Sequence, residues 1–94
     1  MTNAVILHPR DSVAIVTDNI YKGDTITFID NDGNIDTLQA TTNVPIYHKV
    51  AIIYIKKGEY VYKYGEIIGY ATKDINMGEH VHEHNLESVI TRNH

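Results

Sequence analysis

The sequence lacks cysteine altogether, contains only two prolines and has no apolar run long enough to span a bilayer. Without cysteine there are no disulfides, thiolate metal ligands or cysteine nucleophile, so nothing requires an oxidising compartment. A membrane-spanning helix would need about 20 consecutive apolar residues. The opening residues 1–7 also lack the basic start and apolar core of a signal peptide. We therefore expect no membrane partner and a cytoplasmic location.

Positive charge is scarce and scattered. Eight Lys and Arg stand against twelve Asp and Glu, which gives a formal net charge of −4. Only Lys56 and Lys57 are adjacent, whereas a nucleic-acid footprint needs a clustered basic face. We therefore predict no nucleic-acid partner.

The chain has 94 residues, of which 43% are hydrophobic and 21% charged. This composition is typical of a folded globular protein. We expect residues 1–94 to form one domain with a single modest core, too small to hold separate catalytic and substrate domains. A second chain, or further copies of this one in a homo-oligomer, would then complete a larger site.

The apolar pattern is that of short strands. No window keeps a 3.6-residue apolar period, so little helix is expected. Turn-forming residues 30–34 separate the β-rich runs 25–29 and 35–38, which predicts a hairpin. Residues 1–10 are expected to be an irregular arm and 41–45 a connection. Further strands are predicted over Val13–Val16, Tyr47–Tyr54, Tyr60–Tyr62 and Ile67–Ala71. The fold class is therefore predicted to be all-β.

A short motif occurs three times: an Ile, then a Gly three residues later, then an acid. The copies are Ile20–Asp24, Ile55–Glu59 and Ile75–Glu79. The pattern predicts a tight elbow in which the Ile enters the core and the Gly adopts a positive φ that other residues resist. Three elbows indicate a compact fold of short, folded-back strands.

Three histidines, His80, His82 and His84, alternate directly after the third elbow. If residues 80–84 form a strand, they share one face at a spacing of about 6.5 to 7 Å. Such a row can bind a metal, grip an anion or transfer protons near neutral pH. For a metal, two histidines of this strand plus one ligand from elsewhere are favoured, because all three from a straight strand would be strained by the spacing. A solvated edge strand explains the spacing equally well.

Two further clusters carry basic groups. His48 and Lys49 precede an apolar run, and as strand neighbours they should point to opposite faces. A solvated surface charge is the simpler explanation for Lys49. Lys63 and Tyr64 lie in a predicted bend with Gly65, where a lysine beside a tyrosine can hold a carboxylate.

Several segments together resemble the amino-terminal domain of altronate and galactarate dehydratases. The resemblance covers about residues 8–87 and rests on the segments His8–Ala14, His48–Ala51, Lys63–Ile75 and Gly78–Leu86. It implies an SAF domain with a β-clip fold, a long hairpin bent back on itself with extra short strands. One position departs from the expected pattern, because Tyr47 stands where a glycine is expected before His48.

The resemblance also implies lyase chemistry on sugar acids. Water would be lost from an aldonic or aldaric acid to give a 2-keto-3-deoxy acid, with a divalent metal, by resemblance iron, as cofactor. Within the matching motifs we assign catalytic roles to His48, His82 and His84, and metal binding to His80 and His82. Substrate contacts are assigned to Lys49, Lys63, Tyr64 and Asn85.

The resemblance includes none of the large dehydratase domain, so we expect a small subunit that is inactive alone and works with a separate large catalytic subunit. A sulfolactate sulfo-lyase small subunit fits the same pattern, with sulfite rather than water as leaving group. A free-standing SAF module that binds carbohydrate or another ligand is a further alternative. In a purely structural reading, the histidines are incidental and the domain stabilises its partner.

Overall fold

The computed structural model describes residues 1–89 and contains strands but no helix in that range, which confirms the predicted all-β class. Alternating or continuous β-branched residues account for most of the strands. Within the described range the strands are β1 (Ala4–Val5), β2 (Val13–Val16), β3 (Thr25–Ile29), β4 (Ile35–Gln39), β5 (Lys49–Ala51), β6 (Tyr60–Lys63), β7 (Glu66–Ala71), β8 (His80–Val81) and β9 (Leu86–Ser88).

The strands form three antiparallel sheets in the orders β1-β2-β5-β8, β3-β4 and β6-β7-β9. The β3–β4 hairpin is the predicted one, with Thr25 opposite Gln39 and Ile29 opposite Ile35. Its turn is closed by Asp30, whose Oδ1 accepts the backbone N–H of Asn34 at 2.9 Å. These short, folded-back sheets agree with the SAF β-clip.

Two apolar clusters fill the interior instead of the single core expected from the length. The first joins β1, β2, β3 and β5 through Ala4, Ala14, Val16, Ile20, Ile26, Phe28, Ala40, Val44 and Val50. The second lies under β6, β7 and β8 and contains Val13, Ala51, Ile55, Val61, Ala71, Ile75 and Val81. Strands β2 and β5 contribute to both clusters, because successive residues of a strand face opposite sides.

The three predicted elbows are present. Gly23, Gly58 and Gly78 have φ of 94°, 90° and 88°, and the preceding isoleucines are buried. In each elbow the acid accepts the backbone N–H of the residue after the isoleucine, at 2.8 Å for Asp24 and 2.9 Å for Glu59 and Glu79. The matched acid of the motif therefore caps the turn.

A fourth elbow, Val44–His48, has the same shape with different residues. Tyr47 takes the glycine position at φ 68°, and Val44 fills the core position with no exposed surface. Pro45 stands where the other elbows have a capped N–H, and proline has no N–H to cap. The position of the acid is consequently free for His48.

The elbows associate in two pairs. Ile20 pairs with Val44 and Ile55 with Ile75, each through reciprocal backbone hydrogen bonds of 2.8 and 2.9 Å. The N–H of Tyr47 donates to the carbonyl of Val16 at 2.8 Å. In the same pair of elbows, the N–H of Gly23 donates to Ala40, also at 2.8 Å. Tyr47 therefore has the left-handed backbone conformation, and makes the backbone hydrogen bond, of the glycine in the other elbows.

Two predicted segments differ from the structure. The arm at residues 1–10 is not wholly irregular, because β1 pairs with β2. The predicted strand over 47–54 shrinks to Lys49–Ala51, since the left-handed Tyr47 ends it on one side and the elbow at Ile55 bends the chain on the other.

Within residues 1–89, no helix is long and apolar enough to cross a membrane.

Candidate functional site

Strands β5 and β8 bring two distant segments together. Lys49 pairs with Val81 and Val50 with His80. One further step along the same register places His48 opposite His82. His48, His80 and His82 then share one face, because residues two apart on a strand point the same way.

The imidazoles of these residues form a compact group, here called the histidine cluster (His48, His80 and His82). Nδ1 of His48 lies 2.9 Å from Nε2 of His80, so one nitrogen donates a hydrogen bond and the other accepts it. The rings of His48 and His82 stack with centroids 4.6 Å apart. All three side chains are half-buried, and one ring nitrogen of each lies within 4.8 Å of the others.

The backbone under the cluster is held by two side chains. Oγ1 of Thr42 accepts the N–H of His80 at 3.0 Å. Asn85, which has no exposed surface, accepts the N–H of His82 with its Oδ1 at 2.9 Å. Its amide nitrogen donates to the carbonyl of His80 at 2.9 Å. The Asn85 side chain is thus hydrogen-bonded to the backbone of His80 and His82, and the predicted substrate contact of Asn85 stays a prediction.

The predicted strand over residues 80–84 is wrong beyond Val81. The chain turns instead, because the N–H of Asn85 donates to the carbonyl of His82 at 3.0 Å. His84 lies in this turn, exposed, with its ring centroid 5.4 Å from that of His80. The three alternating histidines therefore stay close together without forming a straight row.

The electrostatics of the cluster favour a neutral His80. Burial, followed by the neighbouring imidazoles of His48, His84 and His82 and then the Lys49 ammonium, lowers the pKa of His80 from 6.5 to about 4. Its ring is uncharged at neutral pH, so a lone pair is available to accept a proton or to coordinate a cation.

The predicted cations form a second group. Lys49 faces the side of β5 that carries Ala51, opposite to His48, as alternation requires. Burial and then the Lys63 ammonium lower the pKa of Lys49. Nζ of Lys63 lies 5.1 Å from the ring centroid of Tyr64. Among residues 1–89, neither lysine has an ion pair with a carboxylate.

Two residues, Thr42 and Asp11, position these groups, and their role was not predicted from the sequence. Thr42 belongs to a stretch predicted only as a connection, and no local signal points to its bond with His80. Asp11 is buried and accepts the N–H of Leu7 at 3.1 Å and of Gly65 at 2.9 Å. It therefore joins the opening arm to the bend that carries Lys63. Thr42 lies 38 positions from His80, and Asp11 lies 54 positions from Gly65.

The donor set fits a divalent transition metal. Three imidazole nitrogens are typical ligands for such ions, whereas magnesium and calcium prefer oxygen. The His80 and His82 ligands predicted from the sequence lie together, and His48 is a third nitrogen donor. The chemistry of the site is thus compatible with the metal that the resemblance implies.

A cleft of about 540 Å³ lies away from this cluster. It is lined by Arg10, Ser12, Ile53, Gly58, Glu59, Tyr60 and Tyr62. None of the predicted site residues lines it. Size therefore does not locate the chemistry in this small domain, and the convergence of imidazoles is the better guide.

Comparison with known families agrees with the fold and the motifs. Residues 2–89 match the altronate/galactarate dehydratase SAF domain. The chain belongs to this family. The SAF domain therefore accounts for nearly all of the 94 residues.

Individual relatives are of two kinds. The SAF domain is 39% identical over 85 residues to altronate dehydratase of Escherichia coli, which covers 90% of this chain but 16% of that enzyme. It is 40% identical over 60 residues to (2R)-sulfolactate sulfo-lyase subunit alpha of Paracoccus pantotrophus, covering 64% of this chain and 90% of that subunit. The corresponding subunit of Chromohalobacter salexigens is 31% identical over 87 residues, covering 88% of this chain and 92% of the subunit.

Proposed function

We propose that this SAF domain is the small component of a sugar-acid dehydratase and acts with a separate large catalytic chain. The complex removes water from an aldonic or aldaric acid, with altronate and galactarate as the first candidates, and releases a 2-keto-3-deoxy acid. The observation that carries this proposal is the family membership of a chain that brings His48, His80 and His82 together and places Lys49 near Lys63.

The pair of lysines supports an acidic substrate. Lys49 is half-buried, its pKa is lowered by burial and by Lys63, and no carboxylate within residues 1–89 pairs with either ammonium. Two close cations without counter-ions repel each other, and a bound carboxylate relieves that repulsion. In the proposed complex, Lys49 and Lys63 bind a carboxylate of the sugar acid, and the exposed Tyr64 lines the same surface.

The histidines support the elimination step. A base takes the proton on the carbon next to the carboxylate, and an acid protonates the hydroxyl that leaves from the following carbon as water. The resulting enol then rearranges to the 2-keto-3-deoxy acid. Within this chain, His84 is the imidazole we assign to proton transfer, and the neighbouring His48 and His82 support it as members of the histidine cluster. A divalent metal, when bound, would stabilise the negative charge that develops on the enolate.

The sulfo-lyase is the second candidate, and one observation favours it. The match with this chain covers 90% and 92% of the length of the two sulfolactate sulfo-lyase subunits, but only 16% of the length of altronate dehydratase of Escherichia coli. The chemistry differs only in the leaving group, since sulfite replaces water in the same elimination.

The test is purification of the tagged chain from its native cell and identification of what accompanies it. We expect a large lyase chain, and a complex that forms a 2-keto acid from altronate or galactarate. Formation of sulfite from sulfolactate would replace the dehydratase with the second candidate. Recovery of the chain alone, with no turnover of any of the three acids, would contradict both and favour a free-standing binding module.

Matched variants then test the substrate contacts. Lys63→Gln should raise KM for the acid substrate at least tenfold, since a charge-assisted contact to a carboxylate is removed. Lys22→Gln, in the first elbow, serves as the control and should leave KM unchanged. Equal KM values for both variants would remove Lys63 from the substrate site.

A further inference from the structure

The histidine cluster combines donors from two parts of the chain. His48 comes from the fourth elbow, and His80 and His82 come from β8 and the turn after it. One ring nitrogen of each lies within 4.8 Å of the others. A metal site needs such convergence of lone pairs, and here no residue of another chain is required to provide it.

We propose that His48, His80 and His82 together bind one divalent transition-metal ion through three imidazole nitrogens. This set of three neutral donors suits zinc, cobalt, nickel or iron and leaves at least one coordination position open. The site is formed by this chain alone, so the inference does not depend on the proposed lyase activity. It also makes His48 the third ligand, a role that its position in the sequence does not reveal.

The observed distances are close to those that coordination needs. An ion about 2.0 to 2.1 Å from each nitrogen in tetrahedral geometry holds the nitrogens roughly 3.3 Å apart. Nδ1 of His48 and Nε2 of His80 already lie 2.9 Å apart, and one ring nitrogen of each of the three histidines lies within 4.8 Å of the others. We expect rotation of these half-buried side chains about their χ angles to close the remaining difference.

The surrounding residues hold the ligands in place. Thr42 accepts the N–H of His80, and Asn85 bonds to the backbone of both His80 and His82. Fixing the backbone lowers the ordering cost of binding, as residues around metal ligands commonly do. The backbone of His48 is held as well, because its carbonyl accepts the N–H of Val16 and its N–H donates to the carbonyl of Pro45, both at 3.0 Å.

His84 provides a natural comparison. It is a fourth imidazole beside His80, with ring centroids 5.4 Å apart. It is exposed in the turn and does not belong to the group whose nitrogens converge within 4.8 Å. If the number of nearby histidines alone determined metal binding, His84 and His48 would be equally good ligands. The positions of their ring nitrogens instead favour His48 as the ligand.

The experiment uses the untagged 94-residue chain, stripped with chelator and titrated with Co²⁺ and Zn²⁺ by calorimetry and visible absorption. We expect one ion per chain with a dissociation constant in the micromolar range or below, and a cobalt spectrum of low coordination number. Imidazole nitrogen resonances of the three ligands should shift in NMR spectra on zinc binding. These readouts require no enzymatic activity, so the proposal stands or falls separately from the lyase function.

His48→Ala should weaken binding on the order of a hundredfold, since one of three ligands is lost. His84→Ala and His8→Ala should bind as the unmodified chain does, and circular dichroism checks that each variant is folded. His48→Gln keeps a polar side chain of similar length and should also lose the metal. Absence of saturable one-to-one binding, or equal losses in the His48 and His84 variants, would overturn the proposal.

Discussion

Nδ1 of His48 and Nε2 of His80 lie 2.9 Å apart although 32 positions separate them in the chain. The contact exists because β5 and β8 are neighbours in one sheet and because the fourth elbow delivers His48 to the start of β5. A local motif of alternating histidines thereby becomes part of a cluster built from two segments.

Replacing Asn85 should destabilise the domain and disturb the cluster. The Asn85→Ala variant leaves the part-buried N–H of His82 and carbonyl of His80 without their Asn85 partner, so we expect the free energy of unfolding to fall by about 2 kcal/mol. Urea unfolding measures the loss. Asn31→Ala, in the exposed hairpin turn, is the control. A decrease in the free energy of unfolding below about 0.5 kcal/mol for Asn85→Ala would show that the Asn85 side chain does not stabilise the fold.

The elbow glycines should differ in their tolerance of alanine. At Gly58 an added Cβ meets no atom within 4 Å, so only the positive φ is penalised, by about 1 to 2 kcal/mol. At Gly78 the Cβ also collides with the backbone oxygen of Gln39. Gly78→Ala should therefore lower the thermal midpoint clearly more than Gly58→Ala. Similar midpoints in the two variants would mean that the contact at Gly78 relaxes freely.

Tyr47→Gly should stabilise the fold. Tyr47 is 71% exposed and left-handed at φ 68°, so glycine relieves backbone strain and loses little burial. The greater freedom of glycine in the unfolded chain offsets part of this gain, and the net increase should be below about 1 kcal/mol. Tyr21→Gly, at an exposed elbow position with ordinary φ, should lose stability. Loss of stability in Tyr47→Gly would show that the side chain itself holds the elbow.

The stability of the metal-free domain should fall between pH 6.5 and 4. The pKa of His80 is lowered to about 4 from 6.5 in the folded protein. Between these pH values His80 is protonated in the unfolded chain but stays neutral in the folded chain. The free energy of unfolding therefore decreases as the pH drops from 6.5 to 4. His80→Gln should flatten the pH dependence of urea unfolding in chelator-containing buffer, whereas His8→Gln, outside the cluster, should not. An unchanged slope in His80→Gln would contradict the shift.

Lys63→Gln should raise the pKa of Lys49, because one of the two causes of its lowering is the Lys63 ammonium. Burial, the larger cause, remains, so the pKa should not return fully to its ordinary value. Titration of the lysine Cε resonances by NMR measures the shift. Lys22→Gln should leave Lys49 unaffected. No change in Lys63→Gln would place the two ammonium groups too far apart to share a carboxylate.

Local patterns in the sequence predicted most of the strands, the β3–β4 hairpin and three of the four elbows, because turn chemistry and alternation act over a few residues. The fourth elbow escaped prediction. Its core residue is Val44 rather than Ile, and Tyr47 takes a backbone conformation that its side chain disfavours. The tertiary structure shows the equivalence, through the hydrogen bond from Tyr47 to Val16 and the pairing of Val44 with Ile20.

The sequence by itself determined the all-β class, the elbows and the concentration of imidazoles at residues 80–84. The tertiary structure decided which groups meet. Strand pairing joined His48 to His80 and His82, a turn at Asn85 ended the predicted row, and alternation directed Lys49 to the opposite face toward Lys63. The reason is that register and sheet order depend on contacts between distant segments, which no local spacing contains.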